Sequence, residues 1–163
     1  MSYKISPSNC RIKAKQVSDS RTVISLVMMP AHANHYGHVH GGTIMKLVDE
    51  AAFVVATRHA RKNVVTASME DVSFKHQVRI GDILTLHAEL CYVGRTSMEV
   101  EVNIETEILK TGAVVHVGKA FLSMVALDDD GTPTAVPGLI LRTKTEKRKS
   151  SEALRRRKAR IEQ

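Results

Sequence analysis

The sequence predicts an α+β domain in which one long central helix is wrapped by a curled antiparallel sheet of about five to six strands. Three observations predict it. A glycine-opened stretch from His38 runs into a long, mostly apolar helical pattern. Downstream of it, long runs alternate apolar and polar residues with turn chemistry between them. Those turns are short, so neighbouring strands pair antiparallel, and a single apolar helix buries itself only if such a sheet curls around it.

Taken in order, residues 1–21 mix Ser, Lys, Asn and Gln with little periodicity and read as an arm or edge strand. Thr22 to Met29 is β-branched and apolar, and Pro30 ends that strand because it cannot donate to a ladder. A loop from Ala31 to His40 carries His32, His35, His38 and His40 but no cysteine or carboxylate ligand, and its spacing fits no standard metal motif. No metal is expected. Gly41 and Gly42 then open the helix, leaving N–H groups at its positive end for whatever binds there. Ile44, Leu47, Val48, Ala51, Val54 and Val55 form its apolar face, while Lys46 and Glu50 can pair across one turn. Asp49 falls outside that polar cluster, with Met45, Ala52 and Phe53 a turn away. It reads either as a half-exposed partner of Lys46 or as a partly desolvated catalytic carboxylate. The helix fades near residues 58–62, where Arg58, His59, Arg61 and Lys62 suit its negative end.

Further on, Leu84, Leu86, Ala88, Leu90 and Tyr92 alternate with Thr85, His87, Glu89 and Cys91, and Met98, Val100, Val102 and Ile104 alternate with Glu99, Glu101, Asn103 and Glu105. Gly94-Arg95-Thr96 joins these two strands. Thr111-Gly112 turns the chain into a last long strand from Val114 to Leu127, closed by Asp128-Asp129-Asp130-Gly131.

Length and charge narrow the function. At 163 residues the chain is one domain, small for a subunit that closes an enzyme pocket alone. The net charge of +7 comes entirely from the end of the chain: residues 1–141 hold 14 basic and 14 acidic residues, and 10 basic and 3 acidic follow. A neutral core with a basic tail does not imply a nucleic-acid partner. The tail, 138–163 in the domain division, offers a helix cap at Ser150 or Ser151 but little apolar content. It reads as a basic tail with a possible helix after that cap, expected to be a solvated extension dispensable for catalysis, with a specific anion-binding element as the alternative. Cys10 and Cys91 match no disulfide or redox spacing, and neither a membrane-length apolar run nor a leader is read, so no membrane association and a cytoplasmic location are expected.

The stretch from Ala33 to Ala51, with Asn34, His40-Gly41-Gly42 and Asp49, resembles the signature of the hotdog-fold acyl-CoA thioesterases, the acyl-CoA hydrolase family. The resemblance continues through Val65 to Phe74, Gly81-Asp82 and Gly94-Arg95-Thr96-Ser97-Met98, covering most of residues 22–127, with the domain itself set at 22–137. It implies hydrolysis of fatty acyl-CoA to free fatty acid and CoA, without a cofactor beyond the CoA of the substrate. Asp49 becomes the catalytic carboxylate, as base or nucleophile, and Asn34, fifteen residues upstream, binds the water or thioester. Backbone N–H groups of His40, Gly41 and Gly42 are expected to polarise the carbonyl. Arg95, Thr96 and Ser97 are expected to bind CoA, with Arg79 and Lys75 as further candidates. It also implies self-association as a homodimer, assembled as a trimer of dimers, with each site shared between two subunits. Where many relatives carry a proline after the Ser-Phe strand, this chain has His76-Gln77. A competing reading is a non-catalytic acyl-CoA-sensing module, for which Asn34 with Asp49 would be needless. A hydratase of the same fold would need an Asp/His pair in another motif.

Overall fold

The computed structural model describes residues 12–161. Its centre is helix α1 (Gly41–Ala60), which lies against a five-stranded antiparallel sheet of β2 (Thr22–Val27), β3 (Asn63–Phe74), β4 (Ile83–Val93), β5 (Ser97–Ile108) and β6 (Ala113–Leu127). The spatial order is β2-β4-β5-β6-β3, so the chain crosses from one sheet edge to the other through α1. The expected hotdog arrangement is therefore present, with the expected hairpins at residues 94–96 and 109–112.

The core sits between helix and sheet. Val48, Ala51, Val55 and Ala56 of α1 are buried against Leu84 and Leu86, Val100 and Val102, and Leu122 and Met124. Small residues on the helix let its axis approach the curled sheet closely. Arg61 ends α1 in the left-handed region, its N–H donating to the Thr57 carbonyl. Lys15 Nζ donates to the His59 and Arg58 carbonyls at the same end, cations being favoured there. Lys15 belongs to β1 (Lys15–Gln16), which pairs in parallel with β7 (Leu139–Ile140), so the arm does add a short strand. The remainder of the arm, with Cys10, lies outside the described residues. The His59 ring is buried and bonded at 2.7 Å to the Pro137 carbonyl, and its burial lowers its pKa.

Two expectations need correction. Tyr92 does not continue the apolar row of β4. A bulge between Leu90 and Tyr92 shifts the register, pairing Tyr92 with Glu99. The tail takes the helical form open to it rather than that of a solvated extension: it forms α2 (Lys144–Ile161), which lies along the outer side of the sheet. Its start precedes Ser150. The Thr143 hydroxyl accepts from the Glu146 N–H, and the Glu146 carboxylate accepts from the Arg142 and Thr143 N–H groups, a reciprocal cap. Thin apolar content hid this helix because its inward strip is cationic: Lys149, Arg156 and Arg160 sit around buried Ala153. Lys149 Nζ lies 2.6 Å from Glu89 and 2.7 Å from Glu101, Arg156 lies 2.5 Å from Glu99, and Arg160 bridges Glu70 and Glu99. The polar face read on β5 is thus covered, leaving Glu99 2% and Glu101 3% exposed. Among the described residues, no helix is long and apolar enough to cross a membrane.

Candidate active site

The loop from β2 to α1 is folded around Asn34. Its side-chain oxygen accepts from the Tyr36 N–H at 2.9 Å and the His38 N–H at 3.2 Å, while its own N–H donates to the His38 carbonyl at 2.7 Å. Two converging N–H donors fix which amide atom is oxygen, so the NH2 group is the end left for a ligand. Asn34 lines a cavity of about 230 Å3 with His38, Val39, Gly41, Ile44 and residues 74–78.

At the start of α1 the expected backbone donors are fewer than the motif suggests. The His40 N–H is bonded to the His32 carbonyl, and the Gly42 N–H donates to His40 Nδ1 at 2.9 Å, since His40 is the helix cap. Both are spent. The Gly41 N–H has no acceptor among the described residues, and Gly41 lines the same cavity as Asn34. Of the four loop histidines, His32 and His40 thus accept from backbone N–H groups, while His38 keeps a buried Nδ1 with no partner among the described residues. No group of three or more His, Cys, Asp or Glu side chains placed to hold a metal occurs among the described residues.

Asp49 is half-buried two turns into α1 and is not paired with Lys46, which reaches Glu50 at 3.8 Å as expected. It accepts instead from the Thr66 hydroxyl of β3 at 2.6 Å. Thr66 Oγ1 also lies 3.5 Å from Met124 Sδ, but its one proton goes to the nearer, charged acceptor. A neutral donor orients the carboxylate without supplying a counter-charge. Met45, Asp49 and Phe53 occupy one stripe of α1, and the two apolar members are 41% and 46% exposed. Beside them runs β3, hydrogen-bonded to β6 on one edge only, with Val65 46% exposed.

One chain brings together Asn34, Gly41 and Lys75; Lys75 also lines an adjoining cavity of about 320 Å3 with Arg79. It does not bring Asp49 into that cavity, eight residues of helix being about 12 Å of rise from Gly41. Arg95, Thr96 and Ser97 form a separate corner at the β4–β5 hairpin, where the Ser97 hydroxyl accepts from Arg157 of α2 at 2.7 Å. Thr66 was not singled out from the sequence. Its signal was a hydroxyl inside the Val65–Phe74 stretch, which strand alternation alone cannot tell from an ordinary β-former.

The family model described as the thioesterase superfamily matches residues 36–113. Over 141 residues the chain is 35% identical to protein VdlD of Helicobacter pylori, an alignment spanning 86% of this chain and 80% of that protein. A solved hexameric acyl-CoA thioesterase superposes with a TM-score of 0.89 at 38% identity, covering 93% of this chain and 97% of the other. The acyl-CoA hydrolase of Staphylococcus aureus, solved with butyryl coenzyme A and coenzyme A, superposes with a TM-score of 0.83 at 36% identity, covering 91% and 92%. That enzyme has also been solved with an asparagine, an aspartate and a threonine each replaced by alanine. The three lie fifteen and seventeen residues apart, the separations between Asn34 and Asp49 and between Asp49 and Thr66 here. With the hotdog fold, the motif and these relatives in agreement, the chain belongs to the acyl-CoA thioester hydrolases of the thioesterase superfamily.

Proposed function

We propose that this acyl-CoA thioester hydrolase cleaves fatty acyl-CoA to free fatty acid and CoA by a water attack that Asp49 directs, at sites each assembled from two copies of the chain. The observation that carries the reading is the placement of Asp49. It is a carboxylate fixed by Thr66 within an exposed apolar stripe, beside a sheet edge with unused hydrogen-bonding groups. A second copy pairing β3 against β3 would cover Met45, Phe53 and Val65, and would bring Asp49 of one copy towards the Asn34 cavity of the other. Three such dimers make the trimer of dimers, in keeping with the hexameric relative. A cytoplasmic setting fits the free thiol of buried Cys91.

Each residue then has a defined task. The Asn34 NH2 group and the Gly41 N–H donate to the thioester oxygen, where negative charge develops. Asp49 from the second copy takes a proton from water, whose oxygen bonds to the carbonyl carbon. When the tetrahedral intermediate collapses, the carbon–sulfur bond breaks and the CoA sulfur leaves with the proton returned from Asp49. Thr66 aims the carboxylate. Arg95, Thr96 and Ser97 hold the phosphate-bearing end of CoA, with Lys75 and Arg79 near the Asn34 end.

Asp49→Asn tests the reading, because it keeps shape and the Thr66 contact while removing basicity. It should fold with an unchanged melting temperature and lose about 10²-fold or more in turnover, followed by CoA release with a thiol reagent. Near-normal turnover would remove Asp49 from the mechanism.

A further inference from the structure

We propose that Arg157, on the docked C-terminal helix, is a phosphate-binding residue for CoA and completes an anion clamp with the Gly94–Ser97 hairpin. This rests on the reading that the hairpin holds the nucleotide end of CoA. The inward cations of α2 otherwise have carboxylates: Lys149 has Glu89 and Glu101, Arg156 has Glu99, and Arg160 has Glu70 and Glu99. Arg157 is half-buried and has no carboxylate partner among the described residues.

Its position is nevertheless defined. Nη1 donates to the Ser97 hydroxyl at 2.7 Å, and the guanidinium carbon lies 5.7 Å from the Tyr92 ring centre, where the β4 bulge places that ring. The other guanidinium N–H groups carry no bond among the described residues. A guanidinium with a fixed direction, unused N–H donors and no carboxylate partner among the described residues is set to receive an arriving anion.

The hairpin supplies the rest of the clamp. The Arg95 and Thr96 carbonyls are bound by the Val136 and Ala126 N–H groups, whereas the Arg95 and Thr96 N–H groups have no acceptor among the described residues. Exposed Arg95 adds a second guanidinium. At Gly94 a Cβ would sit 3.2 Å from Ser97 Oγ and 3.5 Å from Arg157 Nη1, so glycine keeps this corner open. Two guanidinium groups, a hydroxyl and two free N–H groups suit a phosphate. CoA carries two kinds, the pyrophosphate and the ribose 3′-phosphate.

The test compares wild type with Arg157→Gln, which keeps a donor for Ser97 but no charge, on three butyryl thioesters: CoA, dephospho-CoA and N-acetylcysteamine, the last lacking phosphate. KM for the CoA ester should rise about tenfold or more with kcat within about twofold. The two proteins should match on the cysteamine ester. Convergence on the dephospho-CoA ester assigns the 3′-phosphate, and a persisting difference assigns the pyrophosphate. Calorimetric affinity for adenosine 3′,5′-bisphosphate, set against that for adenosine 5′-monophosphate, reports on the 3′-phosphate without turnover, and Arg157→Lys should recover part of any loss. An unchanged KM for the CoA ester, or an equal loss on the cysteamine ester, would overturn the proposal. Failure of wild type to hydrolyse any of the three esters would instead count against the catalytic reading.

Discussion

At the residue scale, the informative choice is a threonine rather than a cation beside Asp49. A lysine or arginine would hold the carboxylate as firmly but would lower its affinity for a proton, which the general base proposed for this position must accept. The Thr66 hydroxyl at 2.6 Å fixes direction while leaving the charge unpaired. Thr66→Val is close to isosteric and places a methyl against Met124, so the fold should hold. A hydrogen bond to a charged group contributes about 1.5–3 kcal/mol, and its loss should lower kcat roughly tenfold or more with KM little changed. Unchanged kcat would reduce Thr66 to a packing residue. Asp49 was legible in part from its place, an aspartate among Met45, Ala52 and Phe53, whereas Asn34, an ordinary turn residue by itself, was legible only through the family resemblance and its fifteen-residue spacing from Asp49. Thr66 was not, because threonine in a strand needs no explanation. Nor could the motif show that the His40 ring and the His32 carbonyl consume two of the three expected backbone donors.

At the scale of elements, α2 shows where pattern reading fails. Hydrophobic periodicity finds a helix by the apolar face it buries, and α2 buries a cationic strip centred on Ala153. What that strip meets is equally hidden, since Glu89, Glu99 and Glu101 read as a solvated strand face until Lys149 and Arg156 cover them. Whatever the tail does for catalysis, these contacts tie it to stability. Removing residues 142–163 takes away the cations that pair with Glu99 and Glu70, leaves Glu89 with Arg21 and Glu101 with Lys119, and uncovers Phe121, on which Arg156 stacks at 3.7 Å. The shortened chain should fold but melt about 5 °C or more below the whole chain, by differential scanning calorimetry. The difference should depend on pH. Burial opposes ionisation of Glu101, but bonds from Lys149 and Asn103 outweigh it and hold its pKa below the ordinary 4.5. A depressed carboxyl stabilises the folded state above 4.5, and this contribution is lost as pH falls through the folded value. The gap between the two chains should thus narrow below about pH 4.5. Equal melting at pH 7 would show that α2 contributes nothing to the fold.

At the scale of the whole molecule, the sequence showed one helix and a set of strands but not that β3 crosses to the far edge beside β6, because non-local pairing leaves no periodic trace. That crossing matters, since it places the Thr66 hydroxyl and the apolar stripe of α1 together on an unpaired edge. On the proposed reading a single chain presents two half-sites, Asn34 with Gly41 in a cavity and Asp49 with Thr66 on the open face. The proposed two-copy site makes a quantitative prediction. Asn34→Ala and Asp49→Ala proteins, each prepared alone, should be nearly inactive, because every site lacks one member. Unfolded and refolded together, they form mixed dimers in which one site carries both defects and the other carries neither. Random pairing makes half the dimers mixed with one sound site in two, so activity should recover to roughly a quarter of wild type. Recovery should scale with the mixed fraction, measured with differently tagged subunits. Confirmed mixed dimers without recovery would place Asn34 and Asp49 in the same subunit's site, and the open face of α1 would then need another occupant.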